Sequence, residues 1–492
     1  MYIVTISSEL APAAKVGGLA DMVYGLTREL RIRGNAVEVI LPKYDCIRYD
    51  HVWGLAVCYD NLWVPWWNGA IHCTVHSGHV HGQLCFFIDP HSNDHFFNRG
   101  SFYGFHDEAM RYAFFTRAAL EFMYKSGKRP DIIHSHDWQT GLTAPLLYEI
   151  YAPLGMTNSR VIHTIHNFKH QGHAGMEALY ATGLNHPEHY FSLERMGDDH
   201  NPFAINFTKS AIVYANFVTT VSRKHAWEAM HTDQGYGMGH TLHRFSSKFG
   251  GVLNGLDYEM WNPEWDPHIP HHFSVQDADD LPGKRANKTA LRQRLLLADC
   301  DRPIVSYVGR LDTQKGVHLI RHALFTAIQN HAQFILLGTS PEYGINDYFW
   351  HLKHHLNDNP HCHLEIGFNE ELSRLIYAGS DMFIVPSLFE PCGLTQMIAM
   401  RYGTVPIVRA VGGLVDTVFD WDFAPKPMEE KNGFVFESAD YAGIESALFR
   451  AFGLYHNHEF WKRIRTNGLN MDYSWNHPGQ DYLNIYEFIR HK

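Results

Sequence analysis

The stretch Asp381 to Val411, DMFIVPSLFEPCGLTQMIAMRYGTVPIVRAV, constrains the fold more than any other part of the chain. Met382 to Val385 read as an apolar strand, Pro386 to Gly393 as a short loop, the residues from Leu394 as a helix, and those after Gly403 as a second apolar strand. That order is one strand–helix–strand unit of a parallel sheet. Open parallel sheets collect ligands outside the carboxyl ends of their strands, where helix starts offer unpaired N–H groups and partial positive charge. The loop therefore presents Glu390 beside an anion-accepting helix start. The same Pro and Gly spacing also fits a plain turn.

Recurrence favours the first reading. Tyr2 to Ile6 form a strand, SSELAPAAKVGG a loop ending at Gly17 and Gly18, and the following residues a helix stopped by Gly34. Paired glycines let a ligand approach the backbone, and Lys15 can reach over it. The loop is neither GxGxxG nor a Walker sequence, which weakens nicotinamide and P-loop readings. DIIHSHDWQTG and VIHTIHN are strands ending at His136, Asp137 and Trp138 and at His166 and Asn167, side chains that also suit turn caps. GVLNGLD supplies Asn254, and IVSYVGRLDTQKG supplies Arg310 and Lys315. The strands FILLG, HLEIGF, MFIVPS and VPIVRAV alternate with helices, as in a doubly wound sheet. Tyr49 to Phe105 read as an irregular β-rich excursion without an assigned role. Phe168 to Pro202 read as a long functional loop, a flap on the acceptor side.

The fold class expected is thus α/β, with two Rossmann-like doubly wound domains facing across a cleft. The 492 residues suffice for two domains of roughly 200 to 250 residues. We place an N-terminal domain at 1–258, a C-terminal domain at 259–475, and a helix at 476–492 that returns to the first domain. WNPEWDPHIP, with three prolines in ten residues, marks the hinge region.

Composition excludes several partners. A net charge of −11 without a basic run argues against nucleic acid. No apolar run reaches about 18 residues, so no membrane span is expected. Seven cysteines without a CxxC pair suit a reduced cytoplasm. The 36 histidines lack an HExxH pattern, and no metal site or cofactor is expected. MYIVTISSEL starts directly as a strand, so the mature protein is expected to begin there. The 12 tryptophans suit either a sugar surface or a large core.

Cations and glycine-rich helix starts on two facing lips suit a sugar nucleotide. Breaking its glycosidic bond puts charge on the leaving phosphate, and Arg310, Lys315 and Lys15 can absorb it in place of a metal. Here the motifs SSELAPAAKVGGLADMV, HSHDWQTG, TIHN, GVLNGLDYEMWNP, VGRLDTQKGVHLI and PSLFEPCGLTQMIAM become decisive. Spread over nearly the whole chain, they resemble the bacterial glycogen synthases and plant starch synthases, retaining GT-B enzymes that use ADP-glucose. Val16 in KVGGL and the stretch ILPKYDCI resemble class III and IV starch synthases and cyanobacterial relatives more than enterobacterial enzymes.

The resemblance implies transfer of glucose to the non-reducing end of an α-1,4-glucan or maltooligosaccharide, with UDP-glucose use or a weakly active glucan-binding scaffold as alternatives. It implies catalytic roles for Glu390, Arg310, Lys315 and His166. It implies substrate contacts for Lys15, Gly18, Asp21, Asp137, Asn167, Asn254, Cys392, Gly393, Leu394 and Thr395. Phe368 would stack on adenine, or else serve only packing. Ala20, Gln139 and His170 depart from the family's commoner Gly, His and Tyr. The methyl of Ala20 is expected to leave binding intact, whereas Gln139 and His170 put chain-length preference in doubt.

Overall fold

The computed structural model describes residues 1–277 and 281–492. The chain divides into two compact units, Met1–Gly255 with Trp475–Lys492, and Leu256–Ser474. Both crossings come slightly earlier than the expected 258/259 and 475/476. The reason is local: the Leu256 N–H donates to the Tyr473 carbonyl and Leu256 bridges to Ser474, which ties all three residues into the second unit. The proline-rich WNPEWDPHIP accordingly lies inside that unit and not at its border.

The first unit is built on β1 (Tyr2–Ile6), β2 (Ala36–Pro42), β3 (Trp53–Trp66), β4 (Gly69–Val80), β5 (Gln83–Pro90), β6 (Ile132–His136) and β7 (Arg160–Ile165). The short β8 (His173–Ala174) and β9 (Ile205–Asn206) pair with each other, and β10 (Phe217–Thr220) and β11 (Phe249–Gly251) complete the main sheet. Its order is β11-β10-β7-β6-β1-β2-β5-β4-β3. Strand order reverses between β1 and β6, which opens a crevice at their carboxyl ends. The excursion over residues 49–105 is β-rich as expected, but over β3 to β5 it is ordered sheet and not irregular. β3 and β4 form an antiparallel hairpin that widens the sheet beyond β5, with Trp53, Val57 and Trp63 of the edge strand exposed. Likewise, the region expected as one long loop holds the short helices Glu177–Thr182 and Pro187–Tyr190.

The second unit holds β12 (Ile304–Arg310), β13 (Gln333–Thr339), β14 (Cys362–Ile366), β15 (Met382–Val385), β16 (Val405–Arg409) and β17 (Phe434–Phe436). They form a parallel sheet in the order β14-β13-β12-β15-β16-β17. Successive strand residues face opposite sides. Val305, Tyr307, Phe334 and Leu336 enter one core with Ile320 and Ile444, while Ile304, Ile335 and Leu337 enter another with Leu291 and Ile376. Both faces are therefore covered, which is why these strands read as unbroken apolar runs. The reversal falls between β12 and β15, so the loops after Arg310 and after Val385 meet at one crevice.

Candidate active site

In the second unit two strand-to-helix loops interlock. The Tyr307 hydroxyl donates to the Arg310 carbonyl, fixing the end of β12. Asp312 then accepts from the Lys315 N–H at 2.9 Å, and the Leu388 N–H donates to the Gln314 carbonyl at 2.8 Å. This seam brings Lys315 Nζ within 2.5 Å of Glu390 Oε2, and the Ser387 hydroxyl donates to the same oxygen at 2.8 Å. Both bonds fall on Oε2. Glu390 is buried, so its charge needs that compensation. Arg310 pairs with Asp312 at 2.8 Å and donates to Gln314 at 3.2 Å, and its guanidinium is more than half exposed.

The loop Pro386 to Gly393 rests on two glycines of the next strand-to-helix turn. A Cβ at Gly412 would stand 1.9 Å from the Glu390 carbonyl oxygen, and one at Gly413 would stand 2.0 Å from that of Cys392. The Gly413 N–H donates to the Glu390 carbonyl at 3.1 Å. Leu394 sits at the N-cap of the helix Thr395–Arg401, and Gly393 takes φ +75° to make the turn into it. Phe368 is 89% exposed, so the packing reading of this residue is set aside.

The first unit carries a second cluster at its own switch point. Glu9 Oε2 accepts from the N–H groups of Val16 at 2.8 Å and Gly17 at 3.0 Å, and Tyr103 donates to Oε1. The loop is thereby shaped from behind, and a Cβ at Gly17 or Gly18 would meet only open space. Lys15 pairs with Asp21 at 2.7 Å on the exposed start of the helix Gly18–Ile32. Asp137 adopts φ +55°, ψ 176°, a region that costs a non-glycine residue about 1 to 3 kcal/mol. Its carboxylate holds the strain by accepting from the His166 N–H at 2.6 Å. Asp137 thus first orders the backbone at His166. Asn167 accepts from the Lys169 N–H, and Asn254 is buried with Oδ1 unpartnered among the described residues.

Histidines dominate the floor of this crevice. Burial, reinforced by neighbouring rings, holds His134 and His136 well below the ordinary histidine range, and burial pushes His163 and His166 down to about 3. Burial raises the Asp137 carboxyl to about 7. A histidine with a lowered folded pKa gains its proton on unfolding, so its stability is present above about 6.5 and is lost as pH falls toward 3. Asp137 acts oppositely, losing stability as pH rises from about 4 to 7. Four groups outweigh one. The first unit is expected to weaken by about 1.4 kcal/mol per pH unit for each net histidine below pH 6.5. Denaturant melts followed by tryptophan fluorescence at pH 7.5, 6 and 5 check this, and unchanged midpoints would contradict it.

Residues 2–244 match the starch synthase catalytic domain family, and residues 288–466 match the glycosyl transferases group 1 family. Glycogen synthase 2 of Methylococcus capsulatus is 62% identical over 488 residues, covering 99% of this chain and 100% of its own. The chain belongs to the glycogen and starch synthase family. A probable glycogen synthase 2 of Nostoc is 60% identical over 494 residues, covering both chains fully. The catalytic domain of starch synthase IV from Arabidopsis thaliana, solved with ADP and acarbose, is 43% identical with a TM-score of 0.95, covering 100% of this chain and 99% of that one. The likeness to cyanobacterial and class IV proteins read from KVGGL and ILPKYDCI is found again here. The fold is the two-domain α/β fold of the GT-B glycosyltransferases.

Within this family member, the structure gathers Arg310, Lys315, Glu390, Cys392, Gly393, Leu394 and Thr395 at one switch point, with Cys392 buried. It gathers Lys15, Asp137, His166 and Asn167 on the strand-end loops of the other unit, and Gly18 and Asp21 at the start of its first helix. Sequence reasoning passed over Glu9, Ser387, Gly412 and Gly413, which hold those residues in place. The pair Gly412-Gly413 ahead of a short helix was the one visible signal. No helix among the described residues is long and apolar enough to cross a membrane.

Proposed function

We propose that the protein transfers glucose from ADP-glucose to the non-reducing end of an α-1,4-glucan with retention of configuration, as a cytoplasmic enzyme. The observation that carries this reading is the Lys315–Glu390 pair beside Arg310 at a sheet's switch point. Departure of a nucleoside diphosphate from glucose leaves negative charge on phosphate and an oxocarbenium-like sugar. Arg310 and Lys315 neutralise the first, and Lys15 and the Gly18 helix start are further phosphate-accepting groups. Glu390 Oε1 receives sugar hydroxyls and its charge favours the second. His166 contacts the glucose near the reacting face, Asp137 and Asn254 complete the polar wall, Asn167 is a further substrate contact, and the exposed Phe368 ring offers a face to adenine.

The acceptor hydroxyl must lose its proton on the side from which the diphosphate leaves, and the departing phosphate takes it. Glu390 then stabilises charge without forming a covalent bond to the sugar. Support for the nucleotide comes from the solved starch synthase IV domain, which binds ADP and acarbose.

Labelled glucose incorporation from ADP-glucose and from UDP-glucose, with and without a maltooligosaccharide primer, tests the reading. Primer-dependent incorporation mainly from ADP-glucose is expected. Equal or better use of UDP-glucose overturns the nucleotide assignment, and no incorporation from either leaves only a glucan-binding scaffold. A glucosyl adduct on Glu390 in mass spectra would refute the non-covalent step.

A further inference from the structure

His136 ends β6 with no exposed surface, and its Nδ1 lies 3.2 Å from Nε2 of His166. Its ring stacks on His134 with centroids 4.2 Å apart at 29°. His134 is itself fixed at both nitrogens, by the Tyr486 hydroxyl at 2.8 Å and by Thr164 Oγ1 at 2.7 Å. Tyr486 belongs to the C-terminal helix Asn476–Arg490. The His136 N–H donates to Thr140 Oγ1 at 2.7 Å, which anchors the backbone beneath the ring. Nothing on either side leaves the His136 ring free to turn.

We propose that His136 is a positioning residue for His166: its Nδ1–H donates to Nε2 of His166 and so places the single ring proton of His166 on Nδ1, ready to donate to the sugar. The proton count favours this direction. Burial keeps both rings neutral, so each carries one N–H. His136 Nε2 has no partner among the described residues. A proton there would be a buried N–H without an acceptor, the rarer and costlier defect, whereas a bare lone pair is better tolerated. The proton of His136 therefore sits on Nδ1, and His166 must accept at Nε2. A neutral histidine that accepts at one nitrogen donates at the other.

The proposal rests on His166 as the sugar-contacting residue, and its test separates the two. In full-length protein labelled with ¹⁵N-histidine, the difference between wild type and His166→Asn isolates the His166 ring signals without any donor present. A protonated Nδ1 is expected, becoming mixed in His136→Leu; a protonated Nε2 in the wild type overturns the proposal whether or not glucose is transferred. In turnover, His136→Leu is expected to lose roughly tenfold in kcat with little change in KM. His136→Asn, whose amide N–H stands near the position of Nδ1–H, recovers most of that loss, and His136→Gln does not. Equal losses in the Asn and Leu variants, or losses that follow melting temperature, also overturn it.

Discussion

Turnover with ADP-glucose is expected to fall by roughly thirty- to a thousandfold in a Lys315→Ala variant, the equivalent of about 2 to 4 kcal/mol of transition-state stabilisation. Two losses coincide. On the proposed reading the leaving phosphate is deprived of a cation, and the Glu390 carboxylate, which Lys315 meets at 2.5 Å, becomes a buried charge held, among the described residues, by the Ser387 hydroxyl. That uncompensated carboxylate repels the departing diphosphate. Arg310→Ala is expected in the same range, since its exposed guanidinium is held in place by Asp312 and Gln314. Steady-state kinetics check both variants. The loss should appear chiefly in kcat, because charge on the leaving group grows only as the bond breaks. Wild-type turnover in either variant would remove the case for these residues as the phosphate's counter-charge.

A comparable loss is expected from a single methyl placed outside the charged cluster. In Gly412→Ala the new Cβ meets the Glu390 carbonyl oxygen at 1.9 Å, and the backbone at φ +48°, ψ −136° is one that side chains rarely adopt. The loop Pro386 to Gly393 must lift, and Glu390 moves with it. Displacements near 1 Å at a reacting centre cost about a hundredfold, so turnover should drop at least that far. Stability should fall by only about 1 to 3 kcal/mol, because the strain is confined to one turn. Kinetics paired with a thermal melt separates the two effects. Activity close to wild type would mean that the glycine pair does not set the position of Glu390.

Much of this architecture could be read from local pattern. Met382 to Val385 was found as a strand, and Arg310, Lys315 and Glu390 could be placed because each follows an apolar run that only a covered parallel sheet explains. Residues 49–105 resisted, because β3 and β4 alternate irregularly and their pairing slips register near Tyr59. Glu9 and Ser387 resisted for another reason. Each acts by bonding a neighbouring loop, and a sequence does not announce which backbone N–H or carboxylate a side chain will meet. Asp137 could be singled out, but not its left-handed backbone or its bond to the His166 N–H, both of which depend on β6 and β7 lying side by side.

The two crossings between the units set an order of assembly. The first unit takes its closing helix from beyond residue 475, where Tyr482 and Tyr486 join its core, while the second unit lies wholly between 256 and 474. All residues of the second unit are therefore synthesised before the helix that closes the first. Until that helix docks, the amino-terminal sheet stays partly uncovered. A released chain truncated after residue 474 should bind chaperones through the first unit and not through the second.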